Sequence, residues 1–268
     1  MIRNFWYLIN DYSLEPPLII CTWYVAICKS YGFYLESVDL VMIFFIILFG
    51  YTLDRLFEPE GSGYLLTARH QKLKNFKNYL FVLFLPVLIL ILFLLINYYE
   101  LKFIISIIII LIFSLNNLYL LRSPCRYFKF LILGKEFHNS MTITIYIIIF
   151  IINRNEVSYN IMFLTFIVIF FNMLLISFID IKSDNEKNFT FLQKNPTILK
   201  CILLFLFISP IINLLLLFNP KTTNFFLLIL TTFSFSLFFC FNFRSFLGRR
   251  VIDTIYWFLP VLYIIINL

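Results

Sequence analysis

The feature that most constrains this chain is the recurrence of long apolar stretches, each followed by a short polar segment. A helix needs roughly 20 mostly apolar residues to cross a bilayer. Such runs recur near residues 16–33, 38–53, 79–98, 101–121, 141–152, 157–179, 198–218, 222–241 and 251–268. The first and fifth are the weakest, and the fifth leaves room to extend back through His138 and Asn139. Charged residues make up 13% of the chain, against about 25% in an ordinary soluble domain. No polar stretch is long enough to fold separately. The expectation is one all-α integral membrane domain over residues 1–268, a bundle of nine transmembrane helices.

The polar segments test that count. With the N-terminus inside, 17 of the 21 basic residues fall on one side, and only Lys29, Lys102, Arg154 and Lys221 on the other. Cytoplasmic loops carry the excess of Lys and Arg, so the basic side is expected to be cytoplasmic and the C-terminus outside, in a multi-pass cell (inner) membrane protein. A miscounted span would scramble the alternation. The outer connections NYYEL, INRNEV and NPKTT are short, whereas the cytoplasmic loops are long and polar. Function is expected on the cytoplasmic face, because substantial loops carry chemistry more often than minimal turns do.

Other features exclude classes. The five cysteines are scattered without CxxC or Cys/His spacing, which points away from a zinc site or a disulfide framework. The two histidines, His70 and His138, are expected in different loops. The opening MIRNFWYLINDYSLEPP has acidic residues and prolines where a signal peptide would run apolar, so no cleavable signal is expected.

Two carboxylate pairs stand out at the cytoplasmic ends of spans two and six. Asp54 and Glu58 lie one helical turn apart, as do Asp180 and Asp184, and residues at i and i+4 share a helix face. Like charges at that spacing cost an isolated helix a few tenths of a kcal/mol, and carboxylates at a membrane edge need a partner. A divalent cation removes both costs. Magnesium suits best, since it takes oxygen ligands, commonly one or two carboxylates with substrate phosphates. The alternative is a solvated helix end with the acids paired to Arg55 and Lys182. Basic residues follow each pair: Arg69, His70, Lys72, Lys74 and Lys77 after the first, Lys187 and Lys194 after the second. A diphosphate requires such cations, although positive-inside bias accounts for most of them without a ligand.

On these residues the chain resembles the UbiA superfamily of intramembrane prenyltransferases, nine helices around a central cavity opening near the cytoplasmic face. That family carries one Asp-rich motif after its second helix and another after its sixth. DRLFE, residues 54–58, matches the end of the first motif with Glu in the last position, and DIKSD, residues 180–184, matches the second. The leading Asn-Asp of the family is replaced by Gly50-Tyr51 before the first motif and by Ile176-Ser177 before the second. YTLDRLFE, LTARHQ, LGKEF and RRVIDTIYWFLP resemble a bacterial branch of the superfamily.

The resemblance implies transfer of a prenyl group from an isoprenyl diphosphate to a lipophilic or aromatic acceptor. Asp54, Glu58, Asp180 and Asp184 are then the catalytic and Mg²⁺-binding residues, with Arg55, Arg69, His70, Lys135, Asn172, Lys187 and Asp253 as candidate substrate-binding residues. Some of these have competing readings. Asn172, two turns before Asp180, serves the metal shell or a phosphate, or else makes a helix–helix hydrogen bond. Asp253 closes the polar end of the cavity, or else pairs with Arg249. Lys135 reaches a diphosphate, or else forms a helix-initiating ion pair with Glu136. Membrane lipid is the expected surrounding and nucleic acid is not an expected partner. A terpene cyclase of the same architecture and a non-catalytic lipid-binding or transport protein are the alternatives.

Overall fold

The computed structural model describes residues 14–56, 77–122, 134–153, 155–156, 159–180, 195–216, 220–242 and 246–266. Among them the chain is all-α, with nine helices and no strand. They are α1 (Glu15–Tyr31), α2 (Ser37–Leu56), α3 (Lys77–Tyr98), α4 (Leu101–Arg122), α5 (Gly134–Ile152), α6 (Tyr159–Asp180), α7 (Pro196–Leu216), α8 (Pro220–Asn242) and α9 (Phe246–Ile266). Each apolar run of the sequence falls in one of them.

Local chemistry sets the ends that matter. Proline opens α1, where its missing N–H would have had no partner anyway. Gly32 closes the helix at φ 69°, a left-handed conformation open to glycine, and the N–H groups of Gly32 and Phe33 donate to the carbonyls of Lys29 and Cys28. The chain can therefore turn within five residues into α2. The fifth apolar run does extend back, to Gly134, so His138 lies in the second turn of α5 and not in a loop.

Each helix packs on the next in sequence, and α9 returns to pack on α1, which closes the nine into a ring. Across it α6 also touches α8 and α9, α1 touches α8, and α2 touches α5. Helix α6 thus has four packing partners, and Ile167, Phe171, Leu174 and Leu175 on it are fully buried. An apolar stripe all round a helix suits that central position.

The outward surface is apolar as well. Ile89, Phe93 and Ile96 on α3, Ile109 and Ile112 on α4, Leu204 and Phe205 on α7, and Phe235 and Phe238 on α8 are all more than half exposed. A continuous apolar exterior is what a water-soluble monomer avoids. By length and composition, Tyr159–Ile179 and Thr223–Cys240 suffice to cross a membrane, and six other helices present apolar segments of 10–17 residues among the described residues.

Hydroxyls inside this apolar packing are satisfied by their own helices. Thr52, Ser140, Thr144, Thr165 and Thr232, all buried, donate to the carbonyl four residues earlier, at 2.7–2.8 Å. That back-bonding is the usual recourse of Ser and Thr where water is absent.

Candidate functional site

Cross-helix contacts show which helix ends meet. Ser30 on α1 and Tyr263 on α9 share a hydrogen bond of 2.8 Å, Tyr34 donates its N–H to Asn155 at 3.0 Å, and Tyr99 donates to Asp39 at 2.6 Å. These join the ends of α1, α3, α5 and α9 to the start of α2. The same groups leave the ends of α2 and α6 and the starts of α5 and α9 together at the other end of the ring. Positions 54 and 180 belong to that end.

Two side-chain contacts build it. Tyr51 Oη lies 3.9 Å from Met173 Sδ, joining the last turns of α2 to α6. Ser177 donates its hydroxyl to Glu136 Oε1 at 2.6 Å, joining α6 to the first turn of α5. Phe137 supports the second junction, its ring 5.4 Å from Phe166 and 5.7 Å from Phe170 in edge-to-face contact. Position 180 follows Met173 by seven residues, two turns, and so returns to the side of α6 that meets α2. Position 54 follows Tyr51 by three residues, one turn. Backbone register therefore brings the beginnings of the two acidic motifs to one end of the ring, on two helices linked there by the Tyr51–Met173 contact.

Asn172 occupies a different arc. Successive helical residues are about 100° apart. Phe171 stacks on Phe233 of α8 with centroids 3.8 Å apart, and Met173 meets α2. Ser177, Phe166 and Phe170 meet α5. Asn172 falls between the side facing α8 and the side facing α2, away from α5. Eight residues separate it from position 180, about 12 Å along the axis. Its Oδ1 is buried and has no hydrogen-bond partner among the described residues.

Of the other sequence-predicted residues, Asp253 is buried, at 8% exposure, on α9. The backbone of Asp54, Arg55, Lys135 and Asp180 is described, in α2, α5 and α6. Their side chains, and the whole of Glu58, Arg69, His70, Asp184 and Lys187, lie outside the described residues. Sequence reasoning passed over Glu136 and Glu15 as site residues. Both are buried carboxylates in first turns, at 5% and 8% exposure. The only signal for Glu136 was its place beside Lys135 at the start of an apolar run. Its burial depends on Ser177, 41 residues away.

The donor chemistry at this end is that of a hard cation. The aspartates of positions 54 and 180 and the buried Glu136 are oxygen donors of the kind Mg²⁺ takes. Among the described side chains no three His, Cys, Asp or Glu gather closely enough to hold a metal. Comparison with known proteins adds no assignment: no family model, no curated protein and no solved structure matches this chain.

Proposed function

We propose that this chain is a nine-span membrane protein, cytoplasmic at its N-terminus, carrying a Mg²⁺-dependent prenyltransferase site at its cytoplasmic end. The observation that carries the reading is the Tyr51–Met173 contact, which draws the end of α2 to α6 where the two acidic motifs begin. Two acidic motifs that begin at one ring end have a common reason to be there if they serve one ligand. The apolar exterior and the sorted helix ends support the membrane topology.

In this reading Asp54, Glu58, Asp180 and Asp184 would hold Mg²⁺, whose positive charge would offset that of the isoprenyl donor's diphosphate. Arg55, Arg69, His70, Lys135 and Lys187 donate to diphosphate oxygens, and these charge-assisted bonds strengthen as negative charge develops on the leaving group. Glu136 fixes Ser177 and so the rotation of α6, one turn before Asp180. The apolar interior keeps water from the allylic cation until a lipophilic acceptor attacks it.

Diphosphate release from an isoprenyl diphosphate, with Mg²⁺ and with or without a lipophilic acceptor, tests the chemistry. Release only with acceptor is the expected result. Release without one indicates cyclisation or hydrolysis, and no release indicates a lipid-binding or transport protein. Topology has its own test. On a cysteine-free background, Lys187→Cys is expected to react with an impermeant thiol reagent only after the cells are opened, as are Lys74→Cys, Lys129→Cys and Arg249→Cys. Labelling of position 187 in intact cells overturns the nine-span arrangement.

A further inference from the structure

Two helices of the ring solve the same backbone problem in different ways. A proline inside a helix has no N–H for the carbonyl four residues earlier, and its ring crowds that carbonyl, so the helix kinks there. Where water is excluded the freed carbonyl needs another donor. Helix α7 supplies its own: Pro210 frees the carbonyl of Leu206, and the hydroxyl of the adjacent Ser209 donates to it at 2.9 Å. Helix α9 has no such neighbour. Pro260 frees the carbonyl of Tyr256, and the three residues between them, Trp257, Phe258 and Leu259, carry no hydroxyl. The donor comes from another helix. On α1, the indole Nε1 of Trp23 donates to the Tyr256 carbonyl at 3.0 Å.

Trp23 is held for that bond. It is 2% exposed, with its ring edge-on to Phe225 of α8 at a centroid distance of 6.3 Å and tilted against Tyr256 at 6.1 Å. Seven residues further along both helices, about two turns, Ser30 and Tyr263 share their 2.8 Å hydrogen bond. The step from Trp23 to Ser30 equals the step from Tyr256 to Tyr263, so α1 and α9 run parallel and in register along this seam. The two bonds fall on either side of Pro260. The Ser30 bond holds the outer part of α9, and the Trp23 bond holds the part at the acidic end, residues 246–256. Asp253 rides on that part, buried one turn before Tyr256, and α9 packs on α6, the helix that leads into the second acidic motif.

We propose that Trp23 is the positioning residue of α9: it splints the break at Pro260 and so holds the acid-end part of the helix, with Asp253, at the end of the ring where the acidic motifs begin. Helix α9 is then two rigid pieces joined at a proline, and α1 sets the angle between them. Without Trp23 the outer piece stays on α1 through Ser30, and the inner piece swings. The splint goes beyond the prenyl-transfer reading and its test uses no ligand, so the failure of one is a separate result from the failure of the other.

The test is a double-mutant cycle with an alanine that restores the missing N–H. Trp23→Phe keeps an aromatic ring and deletes the indole donor. In detergent it is expected to lower the unfolding temperature by about 2–4 °C for the one buried hydrogen bond in a chain of this size, on top of the loss from the smaller ring. Pro260→Ala gives position 260 an N–H for the Tyr256 carbonyl, and in that background the Trp23→Phe penalty is expected to shrink by the same amount. The smaller ring is common to both backgrounds and cancels. Distances between spin labels on a cysteine-free background read the positioning itself. Thr254→Cys, at an exposed position, with Gly50→Cys, where an added side chain meets nothing within 4 Å, reports on the acidic end. Val41→Cys with Ile265→Cys, both exposed, reports on the outer end. Trp23→Phe is expected to shift or broaden the first distance and leave the second unchanged, and Pro260→Ala is expected to restore the first. Folding of Trp23→Phe solely in the Pro260→Ala background is the same rescue. Equal penalties in the two backgrounds, an unchanged distance at the acidic end, equal changes at both ends, or loss of folding in both backgrounds overturns the splint.

Discussion

Wild-type protein in detergent is expected to gain about 2.7 kcal/mol of stability from Mg²⁺ and an isoprenyl diphosphate together, at a hundredfold excess over the dissociation constant. Neither component alone should approach that value, because the carboxylates need the metal and the metal needs the phosphates. Replacing Asp180 and Asp184 by Asn preserves size while removing the charge that holds the cation. The double variant is expected to gain little from the pair of ligands. Without ligand it should be unchanged or more stable by a few tenths of a kcal/mol, since i,i+4 repulsion is relieved. Asp54→Asn with Glu58→Gln should show the same contrast more weakly, the glutamate being the departure from the family pattern. Thermal unfolding with the components added separately and together reads all of this. A loss of stability in the unliganded Asn variants would make the carboxylates structural salt-bridge partners, and no joint effect in wild type would remove the metal–diphosphate site.

The second large effect is expected at the opposite end of the ring. Asp39 is completely buried at the start of α2, and its carboxylate accepts a 2.6 Å hydrogen bond from Tyr99 and a longer one, 3.5 Å, from Tyr24. The two phenols reach it from the α3–α4 connection and from α1, so one carboxylate ties three segments of the ring. Tyr99 is itself held by stacking on Phe103, centroids 4.4 Å apart, and by the edge of Phe150. Water has no access to replace a lost donor. Tyr99→Phe is therefore expected to cost about 1.5–3 kcal/mol, the range for a hydrogen bond to a charged group. Tyr24→Phe, which removes a contact at the limit of hydrogen-bond length, should cost less. Thermal unfolding of the two variants in one detergent gives the comparison, and an equal or reversed order would show that Asp39 relies on a different donor. Neither variant touches the acidic end, so ligand-induced stabilisation should survive in both.

These two ends were not equally legible. The acidic motifs announced themselves as like charges one turn apart after long apolar runs. Asp39 gave no such sign: a single acid near a helix start reads as an ordinary N-terminal residue. Its burial is decided by Tyr24 and Tyr99, which are 15 and 60 residues away.

The motif departures teach the same lesson from the other side. Tyr51 and Ser177 stand where the resembled family has its leading aspartates, and in sequence they register only as missing carboxylates. In the ring they are the residues that join α2 to α6 and α6 to α5. Through Ser177, moreover, a carboxylate from another helix, that of Glu136, reaches the position the motif leaves without one.

The sequence alone marked the nine apolar runs that are helical among the described residues, with the start of the fifth moved back to Gly134 by the structure. Run length, helix-breaking residues and charge are local quantities, and the backbone must satisfy its own hydrogen bonds wherever water is excluded. It did not determine which side of each helix meets which neighbour. On helices apolar nearly all round, such as α3, α4 and α6, no polar stripe marks an outward face, so periodicity carries little orientation. Rotation was settled only by tertiary contacts, Phe171 on Phe233, Tyr51 on Met173 and Ser177 on Glu136. Those contacts left the hydroxyls of Ser236 and Tyr256 buried without partners among the described residues, while Thr232 and Ser234 bonded back to their own helix. Whether a hydroxyl is satisfied depends on the groups within about 3 Å of it, and only the packed ring brings those groups together.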